Sequence, residues 1–447
     1  MKIELKKVKA PEIDVPVQTV LSDETMLQRR QKIANKMKDA GLDYLVVYGD
    51  LEHGSNFEYL TGFLTRFEES LLVLSEEGDH LIAGNENLNK AVISRLPVKP
   101  HHYSPFSLPM QPDVGNDLRD IFSAIGMKGK KIGVAGWKSL RQGFDLPHFI
   151  MEELCQLNGM LTNCTGFFID AENGARVTNN ANEIVHYEYG ASLASKAILE
   201  TMDHVSLGMN EKQLAEHLNL EGQRNSVVTI CAAGKRFEKA NLYPSEKTLK
   251  LGDTLSLTVG YKGGLQSRAA YVANDENDLA EDVRDYLEVL AIPYFKAIVT
   301  WLEHIRIGMK GRELYNLIET VLPKETYHWH LNPGHLCADE EWLSSNIYDG
   351  SEQPFQSGMI LQFDIIPSMK GYGGTSVEGG IVLADEKLRQ EIASTYPDHY
   401  EKFEKRRKYM IETLGIQLSK EVLPMGNADA YYRPYLLSDK ALAKTDD

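Results

Sequence analysis

The run Tyr327-His328-Trp329-His330-Leu331-Asn332-Pro333-Gly334-His335 decides how this chain is read. Two acidic positions downstream belong with it. Asp364 closes the apolar run Gly358-Met359-Ile360-Leu361-Gln362-Phe363, and Glu378 stands in Ser376-Val377-Glu378-Gly379-Gly380. A Gly-His turn, a carboxylate at the end of an apolar strand and a glutamate on a further strand bring an imidazole and carboxylates from distant segments to one place. Hydrolytic metal sites are assembled in that way.

Upstream of this run the pattern alternates as strands do at Val227–Cys231, Asp253–Val259 and Ala269–Val272, with turns at Ala233-Gly234 and Lys262-Gly263-Gly264. Helical spacing covers Asn182–Val205, Glu211–Glu221 (with Asn210 as N-cap), Asp282–Leu302 and Gly311–Leu322. Helix, helix and sheet recur twice, which is an α+β core. The first part reads as a compact α/β domain: a helix over Asp23–Gly41, strands at Leu42–Gly49, Leu71–Leu74, His80–Ala83 and Lys131–Ala135, a helix over Leu146–Leu157, and a loop at Asn56–Gly62. A polar linker at Asp170–Val177 divides the parts. The expected domains are 1–170, 171–385 and a helical C-terminal extension, 386–447.

At 447 residues the chain exceeds what one core serves. A net charge of −16 argues against nucleic acid or an anionic membrane as partner. The four cysteines, Cys155, Cys164, Cys231 and Cys337, form no CxxC, so a reduced, cytoplasmic protein is expected. Met1–Leu21 lacks the continuous apolar core of a signal peptide, and the apolar run Leu290–Leu302 is too short to span a membrane and contains Lys296.

Six features in order carry a family resemblance: Leu42-Asp43-Tyr44 with Phe57-Glu58-Tyr59-Leu60-Thr61-Gly62-Phe63, Asn182-Glu183-Ile184 with Leu207-Gly208-Met209-Asn210-Glu211, then Gly252-Asp253, Gly334-His335, Gly358-Met359 and Val377-Glu378. Over nearly its whole length the chain resembles the creatinase/aminopeptidase P family. That resemblance implies a creatinase-like N-terminal domain followed by a pita-bread domain. Active peptidases of the family bind two metal ions through two Asp, one His and two Glu. Matched one at a time, the first Asp falls on Thr258 and the second on Arg268, while the His is His335. The first Glu is replaced by Asp364 and the last is present as Glu378. A further His of the peptidases falls on Trp342, and the proton-transferring His of metal-free creatinase falls on Leu242.

Thr258 is a neutral, weak ligand and Arg268 a permanent cation, so no metal and no cofactor is expected. His335, Asp364 and Glu378 are the catalytic candidates, and Arg268, His330 and Arg66 the substrate-binding ones. Arg268 reads either as the positive charge that replaces metal between Asp364 and Glu378, or as an arginine facing solvent or an unrelated carboxylate. His335 reads either as a proton-transfer group or as a former ligand now merely hydrogen-bonded. His328 and His330 would share one face of a strand. Cys337, Cys231 and Tyr243 read as packing residues, Phe57, Tyr59 and Phe63 as core, His101-His102 as surface, and the charge-dense Lys387–Arg407 as a solvated helix face.

In creatinase-like dimers an Arg from the neighbour completes the pocket, so the resemblance implies a homodimer with Arg66 in that role. Three functions stay open: a metal-independent hydrolase or lyase of a small anionic amide, guanidino or amino-acid-derived substrate; a non-catalytic protein that binds a small molecule or short peptide; and an Xaa-Pro aminopeptidase with an atypical metal site.

Overall fold

A computed structural model describes the chain except residues 108–116, 139, 141–142, 240–242 and 446–447. Leu242 therefore lies outside the described residues. The chain divides into two compact units, one of Leu21–Val177 and a larger one of Met1–Val20 with Thr178–Asp447.

Strand β1 (Lys2–Lys7) belongs to the larger unit. The smaller unit holds β2 (Tyr44–Gly49), β3 (Ser70–Ser75), β4 (Asp79–Ala83), β5 (Val98–His102), β6 (Lys131–Ala135) and β7 (Met160–Asn163). These form one sheet in the order β5-β4-β3-β2-β6-β7. β2 and β3 are buried along their whole length, which is why Leu-Val-Val and Leu-Leu-Val read as unbroken apolar runs. Val46, Val73, Ile82, Ile132 and Val134 pack with Phe122 and Ile150 from flanking helices. Asn56–Gly62 is mostly helix, Ser55–Thr61, and not a loop. It is short and ends at Gly62, whose φ of 75° lets its N–H close on the Glu58 carbonyl. Phe57, Tyr59 and Phe63 are buried.

The larger unit holds β8 (Ile230–Ala233), β9 (Thr254–Tyr261), β10 (Gly264–Tyr271), β11 (His335–Leu336), β12 (Ile360–Phe363), β13 (Ser376–Leu383), β14 (Val422–Pro424) and β15 (Lys440–Thr445). Seven of them form a sheet in the order β11-β12-β13-β10-β9-β8, with β14 on β13, while β15 pairs with β1. Residues 386–447 thus contribute two strands as well as the helices Glu386–Thr395 and Pro397–Glu412.

The helix Ala181–His204 packs against the β9–β10 hairpin. Its start is fixed by a capping box: Asn180 Oδ1 accepts from Glu183 N, and Glu183 Oε2 from Asn180 N, both at 2.9 Å. Replacing Asn180 by alanine should lower stability by about 1 kcal/mol in a denaturant titration. Gly190 allows the close approach, since a Cβ there would lie 1.9 Å from the Lys262 carbonyl oxygen. The sequence places the next helix over Glu211–Glu221; Asn210 does cap it, in a box with Gln213, but it is short, Glu211–Ala215. Among the described residues no helix is long and apolar enough to cross a membrane.

Candidate active site

His335 is set by its neighbours on both sides. Gly334 adopts a φ of +125°, and a Cβ there would sit 2.7 Å from the Gln362 carbonyl oxygen and 3.2 Å from Trp301 Nε1. Trp301 Nε1 donates to the Pro333 carbonyl at 2.8 Å. His335 is then laid opposite Gln362 in the β11–β12 pair. Strand alternation sorts the rest. Gln362 and Asp364 share a face, while Phe363 turns to the helix side, its ring 5.7 Å from that of Trp301. Glu378 stands opposite Ser267, and Ser267 opposite Thr258. The sheet therefore gathers His335, Asp364, Glu378, Ser267 and Thr258, all buried, on one face.

Arg268 is one residue out of phase with that face. Its guanidinium donates to the carbonyls of Ser267 (2.6 Å), Glu378 (2.9 Å), Ala428 (2.5 Å) and Tyr431 (3.0 Å) and to Gln266 Oε1 (3.2 Å). The expected charge between the Asp364 and Glu378 carboxylates is thus not Arg268, because a β-strand cannot turn residues 267 and 268 to the same side. The cation on the site face is His335. Its Nε2 lies 3.4 Å from Glu341 Oε1 and 3.7 Å from Asp364 Oδ2, and its Nδ1 faces the Leu336 carbonyl at 3.2 Å. Burial disfavours the charged ring, but the Asp364 and Glu341 carboxylates outweigh it and raise the imidazole to about 10.

Glu378 is pushed well above the carboxylate range by burial, then by the nearby Asp364 and Glu341, with the Ser376 hydroxyl and His335 opposing. It holds its proton more tightly than an ordinary glutamate; Ser376 Oγ bonds its Oε1 at 3.0 Å. Burial also raises Glu341, against the pull of His335. The cluster is an imidazolium between carboxylates, beside a carboxyl group that burial and its neighbours make reluctant to ionise.

Glu341 is the functional candidate that the sequence reading missed. It follows Asp339-Glu340, and an acidic triplet reads as solvent-facing. Gln362 had a signal, two residues before Asp364 on an apolar strand. Its Nε2 donates to Glu341 Oε1 at 2.7 Å and its Oε1 accepts from Leu265 N at 3.2 Å.

The remaining candidates fall elsewhere. His330 is exposed and makes a single backbone bridge to Ile366, while His328 adopts φ 49°, so the two do not share a regular strand. Arg66 lies in the smaller unit, its backbone N on Asn87 Oδ1 and its guanidinium 5.5 Å from the Phe67 ring. Trp342 stacks on His335, centroids 4.6 Å apart at 28°. Cys337 is buried and its thiol is pushed well up by burial and by Glu341, which makes it inert. Cys231 is likewise buried and raised to about 12, whereas Tyr243 is exposed and not a packing residue.

The two-metal centre implied by the resemblance requires carboxylates from the β9–β10 hairpin. On the site face the hairpin presents Thr258 and Ser267, whose hydroxyls bond each other at 2.8 Å. Neutral hydroxyls do not offset two divalent charges, and His335 already supplies a cation to the carboxylates that remain. The residues present do not fit that centre. Among the described residues no group of three or more His, Cys, Asp or Glu side chains is placed to hold a metal ion.

Residues 29–155 match the creatinase/prolidase N-terminal domain and residues 186–386 match metallopeptidase family M24. With the α+β pita-bread unit following an α/β unit, these matches place the chain in the creatinase/aminopeptidase P family. A Xaa-Pro dipeptidase of Pyrococcus horikoshii is 23% identical over 264 residues, 56% of this chain and 71% of that protein. The solved Xaa-Pro dipeptidase from Bacillus anthracis superposes with a TM-score of 0.62 at 16% identity, over 81% of this chain and 96% of that one. For the prolidase from Pyrococcus horikoshii OT3 the TM-score is 0.63 at 16% identity, over 80% and 95%. At such identities the structures share the fold.

Proposed function

We propose that this chain is a metal-independent hydrolase or lyase acting on a small amide, guanidino or amino-acid-derived substrate that also carries an anionic group. The observation that carries this reading is His335 buried between Asp364 and Glu341, beside Glu378, whose carboxyl is pushed well above the usual range. Carboxyl groups side by side, one of them pushed well up by its surroundings, suit paired acid and base work. Glu378 holds a proton that it can give to a leaving nitrogen. Asp364 takes one from water, and His335 donates a hydrogen bond to oxygen that gains charge. The amide or guanidino end of the substrate faces this acidic cluster. Its anionic group needs a cation from outside, and with Arg268 turned away the candidates are His330 and Arg66, the latter offered across a homodimer. The four cysteines form no disulfide, in keeping with a cytoplasmic protein.

A second reading, a non-catalytic binding protein, is favoured by closure of the site: His335 is 1% exposed and Trp342 lies over its ring. The test is turnover of small amides, guanidino acids and Xaa-Pro dipeptides in chelator and in manganese. Turnover in chelator, falling roughly 10²–10⁴-fold in His335→Ala, is expected. Xaa-Pro cleavage that requires manganese would overturn the reading in favour of an aminopeptidase. A ligand-dependent melting shift without turnover would establish the binding protein.

A further inference from the structure

Glu341 reaches the site through a loop with no regular structure of its own, so its place there needs a cause. After β11 the chain turns back on itself: Leu336 N donates to the Ser344 carbonyl at 2.7 Å and Leu343 N to the Leu336 carbonyl at 3.0 Å. The far side of the loop is tied to the β9–β10 turn. Gly263 N donates to the Ala338 carbonyl at 2.7 Å, and Lys262 Nζ pairs with Asp339 at 3.0 Å. The acidic triplet is thereby split. Asp339 anchors the loop, and Glu341, two residues on, is carried inward over His335.

Once inside, Glu341 is held from the sheet. Gln362 is fixed by the main chain of Leu265 and passes that order on by donating to Glu341 Oε1, the oxygen that faces His335 Nε2. The other oxygen, Oε2, is buried with no hydrogen-bond partner, as are His335 Nε2 and Asp364 Oδ1. Trp342, next in the chain, stacks on a face of the imidazole, whereas the two carboxylates approach its Nε2. The loop thus supplies two consecutive residues that together fix one ring.

We infer that Glu341 is a positioning residue for His335, held in place by Gln362 and acting with the Trp342 stack to fix the plane of the imidazole and the direction of its Nε2. A ring with one carboxylate partner can swing about its χ2 angle; a ring with two carboxylates at Nε2 and an indole on its face cannot. The inference builds on the proposed function for its kinetic consequence and on geometry alone for its structural one.

The experiment compares Glu341→Gln, Glu341→Asp and Gln362→Met in the full chain. Glu341→Gln keeps an acceptor for Gln362 and removes the charge at His335. In it, turnover should fall about 10–100-fold with KM little changed, and Glu341→Asp should recover part of the loss. Trp342 fluorescence, taken as the difference from Trp342→Phe, gives a readout that needs no substrate. Release of the imidazole from the stack should raise its emission in Glu341→Gln and in Gln362→Met. Unchanged Trp342 emission in both variants overturns the inference, whatever the activity. If the wild-type chain turns over nothing, the proposed function fails while the fluorescence result still decides the role of Glu341. Should Glu341→Gln lose its fold, shown by circular dichroism, Gln362→Met carries the emission comparison, since it frees Glu341 from the sheet without altering it.

Discussion

Replacing Arg268 with methionine should destabilise the larger unit by about 3–5 kcal/mol, the cost of breaking a buried charged network, and leave the site chemistry of any surviving folded protein in place. The guanidinium serves five acceptors, four of them main-chain carbonyls from β10, β13 and the segment 428–431. Burial lowers its pKa, with Asp429 opposing, to about 10, so it stays charged near neutrality. Asp429 accepts from Gln266 Nε2 at 2.6 Å and from Gly426 N at 2.9 Å, which ties the same network to the turn after β14. Without the arginine, buried carbonyls lose their donors, and each costs free energy. Lysine at 268 should recover less than half of the loss, since a point-like ammonium cannot span a fork of carbonyls. Urea titration of the three proteins measures this. A loss below about 1 kcal/mol, combined with lost turnover, would return Arg268 to the site as the substitute for metal.

The fate of Arg268 shows what the sequence could and could not reveal. Family motifs located β10 and the importance of 267–269, but motif spacing at low identity is uncertain by one residue, and one residue changes the face of a strand. The strand itself was half hidden. Gln266-Ser267-Arg268 is polar yet buried, because the pita-bread sheet is covered on both sides, so the pattern yields only Ala269–Val272 where β10 begins at Gly264. His335, Asp364 and Glu378 were legible because each sits beside a glycine or ends an apolar strand. Glu341 was not, since nothing local separates a carboxylate that turns inward from its two acidic neighbours. The same ambiguity hid the role of Pro397–Glu412. Its charge density reads as a solvated face, yet Arg406 and His399 are buried and close on Glu188 at 2.6 and 2.5 Å.

Stability should fall as pH rises from about 6.5 to about 10, by on the order of 5 kcal/mol at full titration of His335, and this decline should be reduced in His335→Gln. The folded imidazole holds its proton up to about 10, whereas an unfolded histidine releases it near 6.5. The folded chain therefore binds more protons across that window. Its extra stability is complete below the unfolded pKa and disappears as pH passes the folded one. Glu378 and Glu341 act with the same sign, because both are raised: each favours the folded chain while protonated and loses that advantage as pH climbs above the ordinary glutamate range. All three groups make mild acid the favourable condition. In His335→Gln the Asp364 and Glu341 carboxylates lose their cation, so the variant is weaker at pH 7, and its curve from 7 to 10 falls less steeply than that of the unaltered protein, with the buried thiols Cys231 and Cys337 accounting for part of the remaining slope. Urea titrations of both proteins at pH 5, 7, 8.5 and 10 read this out. Parallel curves would mean that His335 is neutral in the folded protein, and the imidazolium between carboxylates, with the acid–base roles built on it, would have to be abandoned.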